Sequence, residues 1–206
     1  MRTIAVLAAI GMEAAPFTRR MENTSADGKF LRGNIGKADV VLHRCGIGMR
    51  NADKGARALV GHAKPDALIL YGISGGLIPE IQLHEIVIGT SSACKERAED
   101  LDRRLADIAA QALPGARAAP LACTRTVTVR KKRKTLLAGS GAVCVDMESF
   151  AAAKAAREKG VPLLVLRSIS DTFQPVSLLA FKNGKIAAET AAFAVETVIK
   201  ALSNER

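Results

Sequence analysis

Six apolar runs constrain the fold of this chain more than any other feature: Thr3–Ala9, Ala38–Arg44, Asp66–Tyr71, His84–Gly89, Ala142–Val145 and Leu163–Ile169. They are rich in Val, Ile and Leu, and several lack polar alternation, as strands covered on both faces do. Helical periodicity fills the intervals. Asn51–Ala63 places Ala52, Ala56, Leu59 and Val60 on one side and stops at Lys64-Pro65. Glu99–Leu113 repeats Leu101, Leu105, Ile108 and Ala112 before Pro114-Gly115, Glu148–Lys159 ends at Gly160, and Ile186–Leu202 is an Ala-rich closing helix. Strands alternating with helices predict an α/β fold, a three-layer sandwich around a largely parallel mixed central sheet. A length of 206 residues predicts one domain spanning 1–206. Trp is absent and Tyr occurs once, so the core is expected to be built mostly from Ala, Val, Ile and Leu.

No apolar stretch reaches transmembrane length, and the opening MRTIAVLAA runs on into GMEAAPF, which reads as a first strand rather than a signal peptide. Cys45, Cys94, Cys123 and Cys144 form no CxxC pair, so neither a disulfide framework nor a zinc site is expected, and a reducing cytoplasm fits best. His43, His62 and His84 lack metal-ligand spacing and read as strand-edge or surface residues; no metal is expected. The net charge of +10 favours anionic partners such as phosphate, nucleic acid or an acidic membrane surface. The basic run Arg130–Lys134 has no interleaved aromatics and no accompanying nucleic-acid motif. It reads as a solvated surface at the start of a helix, no specific nucleic acid is expected, and substitutions there should leave chemistry intact.

The chemistry gathers just after the apolar runs. Glu13 follows the first, Gly46-Ile47-Gly48 the second and Gly72-Ile73-Ser74-Gly75-Gly76 the third; Asp146-Met147-Glu148 and Asp171 follow two later ones. Ligands of open α/β sheets sit at the carboxyl ends of strands, so five such features suggest one crevice rim. Glycine segments there let backbone N–H groups approach a phosphate or sugar oxygen. Neither segment matches GxGxxG or a Walker loop. An ordinary strand-to-helix turn accounts for GIG alone, Glu148 alone could favour a helix amino terminus, and Asp171 alone could cap the following segment.

In their order, IAVLAAIGMEA, VVLHRCGIGMRNADKGA, PDALILYGISGGLIPEIQLHEIVIG, AVCVDMESFAAAKAAREKGVPLLVLRSISD and the last helix resemble the nucleoside phosphorylase and nucleosidase superfamily. That superfamily includes purine nucleoside phosphorylase and methylthioadenosine/S-adenosylhomocysteine nucleosidase. The resemblance runs from Thr3 to about Leu202 and is weakest over Ser91–Lys134. It implies cleavage of an N-glycosidic bond through a ribosyl cation-like transition state, without a cofactor and with phosphate as a possible co-substrate. It implies that Asp171 protonates the purine, Glu148 grips the ribose hydroxyls, Met147 packs on the sugar and Glu13 activates water. Gly46, Gly48, Ser74 and Gly75 would contact substrate, and the main chain at Thr126, Val127 and Thr128 would line the base pocket.

Two departures stand out: Ile73 replaces a serine of the nucleosidases, and the aromatic residue expected near Arg125–Thr126 is missing. Arg44 and Arg50 are the candidates for a phosphate clamp. GISGG, VDMES and the short length are most similar to the hopanoid-associated branch, which implies release of adenine from adenosylhopane. On that resemblance the positive charge suits peripheral contact with an anionic membrane, and Leu178, Leu179 and Phe181 could admit a greasy 5′ substituent. The alternatives are a soluble methylthioadenosine-type nucleosidase and a non-catalytic protein binding nucleoside, nucleic acid or membrane. The resemblance also implies a homo-oligomer.

Overall fold

A computed structural model describes residues 2–173 and 180–204, apart from the side chains of Ala180 and Phe181. The apolar segment proposed to admit a 5′ substituent, including Leu178, Leu179 and the Phe181 side chain, lies outside the described residues.

Among the described residues, ten strands and six helices follow one another as β1 (Thr3–Ala8), α1 (Gly11–Thr18), β2 (Glu22–Asp27), β3 (Phe30–Ile35), β4 (Ala38–Arg44), α2 (Met49–Ala63), β5 (Ala67–Gly76), β6 (Ile86–Cys94), β7 (Arg97–Asp100), α3 (Arg103–Ala112), β8 (Arg117–Cys123), α4 (Lys131–Ala138), β9 (Cys144–Asp146), α5 (Ser149–Glu158), β10 (Leu163–Asp171) and α6 (Ala180–Asn204). The strands β4, β1, β5 and β10 lie side by side and parallel. Their side chains alternate between two apolar layers. Ile4, Val6, Ile69 and Tyr71 join Phe17, Leu105, Val195 and Ile199 on one face. Ala5, Leu7, Leu68 and Leu70 join Ala52, Leu59, Ala152 and Ala156 on the other. Each buried strand therefore has apolar residues at both parities, which is why its sequence lacks polar alternation.

The mixed character of the sheet comes from elsewhere. β2 and β3 form an antiparallel extension on β4, and the polar β2 (ENTSAD) carries no apolar pattern that would reveal a strand. β10 also pairs antiparallel with β6, β6 runs parallel to β8, β8 to β9, and β9 returns antiparallel to β5. The strands β5, β10, β6, β8 and β9 thus close a ring. The segment expected to be helical over Glu99–Leu113 begins as β7 and turns helical only at Arg103, where Asp102 caps α3 by accepting the Leu105 N–H at 2.8 Å. Among the described residues no helix is long and apolar enough to cross a membrane.

Candidate active site

Ring closure sets the two acidic segments on either side of one glycine. Gly75 of β5 pairs with Asp171 of β10, after a register shift at Ile169, and with Val145 of β9 on its other edge. A cavity of about 210 Å³ opens there, lined by Glu13, Ser74, Gly75, Met147, Glu148 and Asp171 among others. Thr126, Val127 and Thr128, which follow β8, complete its wall. The crevice rim expected from the sequence is one cavity, although β9 enters it antiparallel to β5 rather than as another parallel strand.

Glu13 is buried on the first turn of α1. Its Oε2 accepts the N–H groups of Ala9 and Ile10, each at 3.0 Å, and its Oε1 accepts that of Ile73 at 2.9 Å. The Ile10 bond is one half of a capping box; the Ile73 bond ties the helix to the glycine segment of β5. Tyr71 reinforces the junction by donating its hydroxyl to the Glu13 carbonyl at 2.8 Å. Burial, and then the nearby Glu13 charge, push the Tyr71 phenol well up. Gly72 is required by close approach: a Cβ there would lie 2.2 Å from Glu13 Oε1 and 2.7 Å from Arg167 Nη1.

Glu148 lies across the cavity. Its Oε1 accepts the Gly48 N–H at 2.8 Å, and its Oε2 the Met147 N–H at 3.3 Å. Gly46 and Gly48 do not themselves line the cavity. Gly48 has φ of 96°, a conformation that favours glycine, and presents its N–H to Glu148 as α2 begins. Burial raises the Glu148 pKa; Arg167 opposes the rise, Asp146 adds to it, the Gly48 N–H opposes it and Glu13 adds to it.

Sequence reasoning missed Arg167, the largest fully buried side chain, because in RSISD it sits mid-strand and carries no motif of its own. Its Nη2 lies 2.6 Å from Asp146 Oδ2 and 3.5 Å from Glu148 Oε2. Burial works against its charge, but Asp146, Glu148 and Glu13 outweigh that and raise its pKa. Asp146 also accepts the Ser149 hydroxyl at 2.7 Å and the Ser149 N–H at 3.2 Å on its Oδ1, so one carboxylate starts α5 and neutralises the arginine.

Three further expectations are corrected. Lys134 belongs to the basic run but not to the surface: Arg130 to Arg133 are exposed, while Lys134 is fully buried and its Nζ reaches Asp171 Oδ2 at 2.6 Å. His43 is buried rather than at a strand edge, packed edge-on against Phe30 with ring centroids 5.0 Å apart, and burial lowers its pKa. The clamp candidates Arg44 and Arg50 are exposed and absent from the cavity wall; Arg44 lines a separate cleft with Gly11, Arg19 and Lys29. The cysteines are free, and burial followed by the Glu148 charge pushes the Cys45 thiol up to about 12, so it is a neutral group beside the site. No cluster of three metal-ligating side chains occurs among the described residues.

This ring-closed α/β fold, with buried carboxylates around one cavity, defines the class of the molecule. Residues 3–202 match the model of the phosphorylase superfamily, and the chain belongs to that family. It is an enzyme that cleaves a glycosidic bond. Among solved structures, a 5′-methylthioadenosine/S-adenosylhomocysteine nucleosidase from S. pneumoniae, bound to the transition-state inhibitor MT-ImmA, superposes with a TM-score of 0.90 at 22% identity, covering 97% of this chain and 99% of that one. An S-adenosylhomocysteine nucleosidase from Streptococcus pyogenes gives 0.91 at 20% identity, covering 98% and 97%. The futalosine hydrolase of Helicobacter pylori gives 0.87 at 18% identity, covering 97% of each chain. At these identities the structural likeness is one of fold.

Proposed function

We propose that this enzyme hydrolyses the N-glycosidic bond of a purine nucleoside bearing an apolar 5′ substituent, releasing adenine. The observation that carries the choice of water over phosphate is the charge around the cavity. Glu13, Asp146, Glu148 and Asp171 line it, and among the described residues the buried cations in contact with them are Arg167 and Lys134. Even with Asp171 protonated, three carboxylates face two cations. An incoming phosphate dianion would meet repulsion, whereas water would not.

In this reading Glu148 accepts the ribose hydroxyls and Asp171 gives a proton to a purine ring nitrogen. The C–N bond pair leaves with the base, which departs neutral. Water adds to the anomeric carbon and yields a proton to Glu13. The three N–H bonds to Glu13 fix its orientation yet leave Oε1 a lone pair for that proton. Ile10, Ile47, Ile73 and Met147 give the cavity an apolar wall, and Ile47, 56% exposed, suits an apolar substituent rather than a charged one. That a nucleosidase of the same fold binds MT-ImmA as a transition-state inhibitor supports the substrate class.

The test is chromatographic: adenine release from 5′-methylthioadenosine and from a 5′-alkyl adenosine, each with and without phosphate. Hydrolysis predicts equal rates in both buffers and free sugar as product. Release that requires phosphate and yields a sugar 1-phosphate would make the enzyme a phosphorylase, and no adenine from either substrate would end the reading.

A further inference from the structure

Helix α4 is attached in an unusual way. It follows the segment that walls the cavity, and Arg130, Lys131, Lys132, Arg133 and Leu136 all face outward, Leu136 being 78% exposed. Leu137 and Ala138 are partly buried over the small cluster of Leu77, Ala122, Ala142 and Val145. The single fully buried side chain of the helix is a lysine. Lys134 Nζ donates to Asp171 Oδ2 and to the Thr172 carbonyl, both at 2.6 Å. A buried ammonium without partners is costly, so such a group persists only where its bonds are specified.

The same contacts order Asp171. Its Oδ2 is taken by Lys134, while Oδ1 accepts the Ser170 hydroxyl at 3.2 Å. A Cβ on Gly75 would stand 3.1 Å from Oδ1, so the glycine leaves the carboxyl room beside the strand. Other charged side chains of α4 are turned elsewhere: Arg133 donates to Thr126 Oγ1 at 3.0 Å, and Lys131 lies over the Phe173 ring.

We infer that Lys134 is the positioning residue for Asp171, holding its Oδ2 so that Oδ1 is the oxygen turned to the leaving base. The inference rests on the assignment of Asp171 as the proton donor made above. It also gives α4 a function: the helix delivers one cation to the back of the acid and keeps its remaining charge in solvent.

The experiment is a double-mutant cycle on purine release with Lys134→Met, Asp171→Asn and the pair, and with Lys134→Arg as the conservative variant. Lys134→Met is expected to lower kcat by about 10- to 100-fold, a fraction of what a general acid contributes, with KM changed by less than about threefold. In the Asp171→Asn background the same substitution should cost nothing further, because the group it orients is already gone. Lys134→Arg should recover part of kcat. Thermal melting of each variant identifies loss through unfolding, and the Arg variant keeps the cycle readable if the Met variant is unstable. Equal losses from Lys134→Met with and without Asp171, or a folded Lys134→Met with wild-type kcat, would overturn the positioning role. A wild-type enzyme that releases no purine would instead overturn the functional reading on which it stands.

Discussion

Gly72 shows how tightly single residues are specified around the cavity. A Cβ would intrude on both Glu13 and Arg167, and neither can retreat, since Glu13 is held by three backbone donors and Arg167 by Asp146. Gly72→Ala is therefore expected to destabilise the protein by about 1–3 kcal/mol, the usual cost of overpacking. Base release should fall even at temperatures where the variant remains folded. Circular dichroism melting together with an adenine-release assay checks both parts; a melting temperature and rate equal to wild type would show that Glu13 is freer than its bonds suggest. The glycine cluster itself stands out in the sequence as GISGG. Which of its glycines is sterically required does not, because the atoms that exclude a Cβ come from α1 and β10, far away along the chain.

At the level of elements, the end of β9 and the middle of β10 are joined by a buried charge network. Asp146, at the end of β9, starts α5 through Ser149 and pairs with Arg167 from the middle of β10. Both side chains of that pair are at most 1% exposed. Removing the arginine leaves Asp146 and Glu148 buried without their shared cation, and one-sided loss of a buried pair typically costs about 3–5 kcal/mol. Arg167→Met should lower the urea midpoint accordingly, and pairing it with Asp146→Asn should restore part of the loss; a single variant as stable as wild type would mean that water reaches the pair. α4 obeys the opposite logic, with a lysine as its one fully buried side chain. That reversal explains why a basic run that looks solvated in sequence contains a residue of the interior: five consecutive cations give no periodic signal to mark the one that points inward.

For the whole molecule, the cavity concentrates negative charge within a chain of net charge +10, and pH should separate activity from stability. The Glu148 pKa is raised above its ordinary 4.5, chiefly by burial. As an acceptor of ribose hydroxyls it must be ionised, so purine release should decline on acidification at a pH above 4.5. The stability effect has the other sign. A carboxyl that binds its proton more tightly folded than unfolded favours the folded state increasingly as pH falls through the folded value toward the unfolded one. kcat/KM and melting temperature measured over one pH series should therefore diverge in that window, and Glu148→Gln should abolish this group's contribution to the melting trend. Coincident loss of both would show that activity is limited there by unfolding.

The sequence by itself determined the parallel strands β4, β1, β5 and β10, the helices α2 and α5, and the grouping of Glu13, GISGG, VDMES and Asp171, because apolar runs and the polar residues ending them are local signals. Only the tertiary structure decided that β5, β10, β6, β8 and β9 close a ring, that Gly48 serves Glu148 rather than the cavity, and that Arg167 and Lys134 are its buried cations. These depend on pairings between residues 19 to 100 positions apart. A charged side chain reads as solvated from its own neighbours; what buries it is the carboxylate that another strand brings to it.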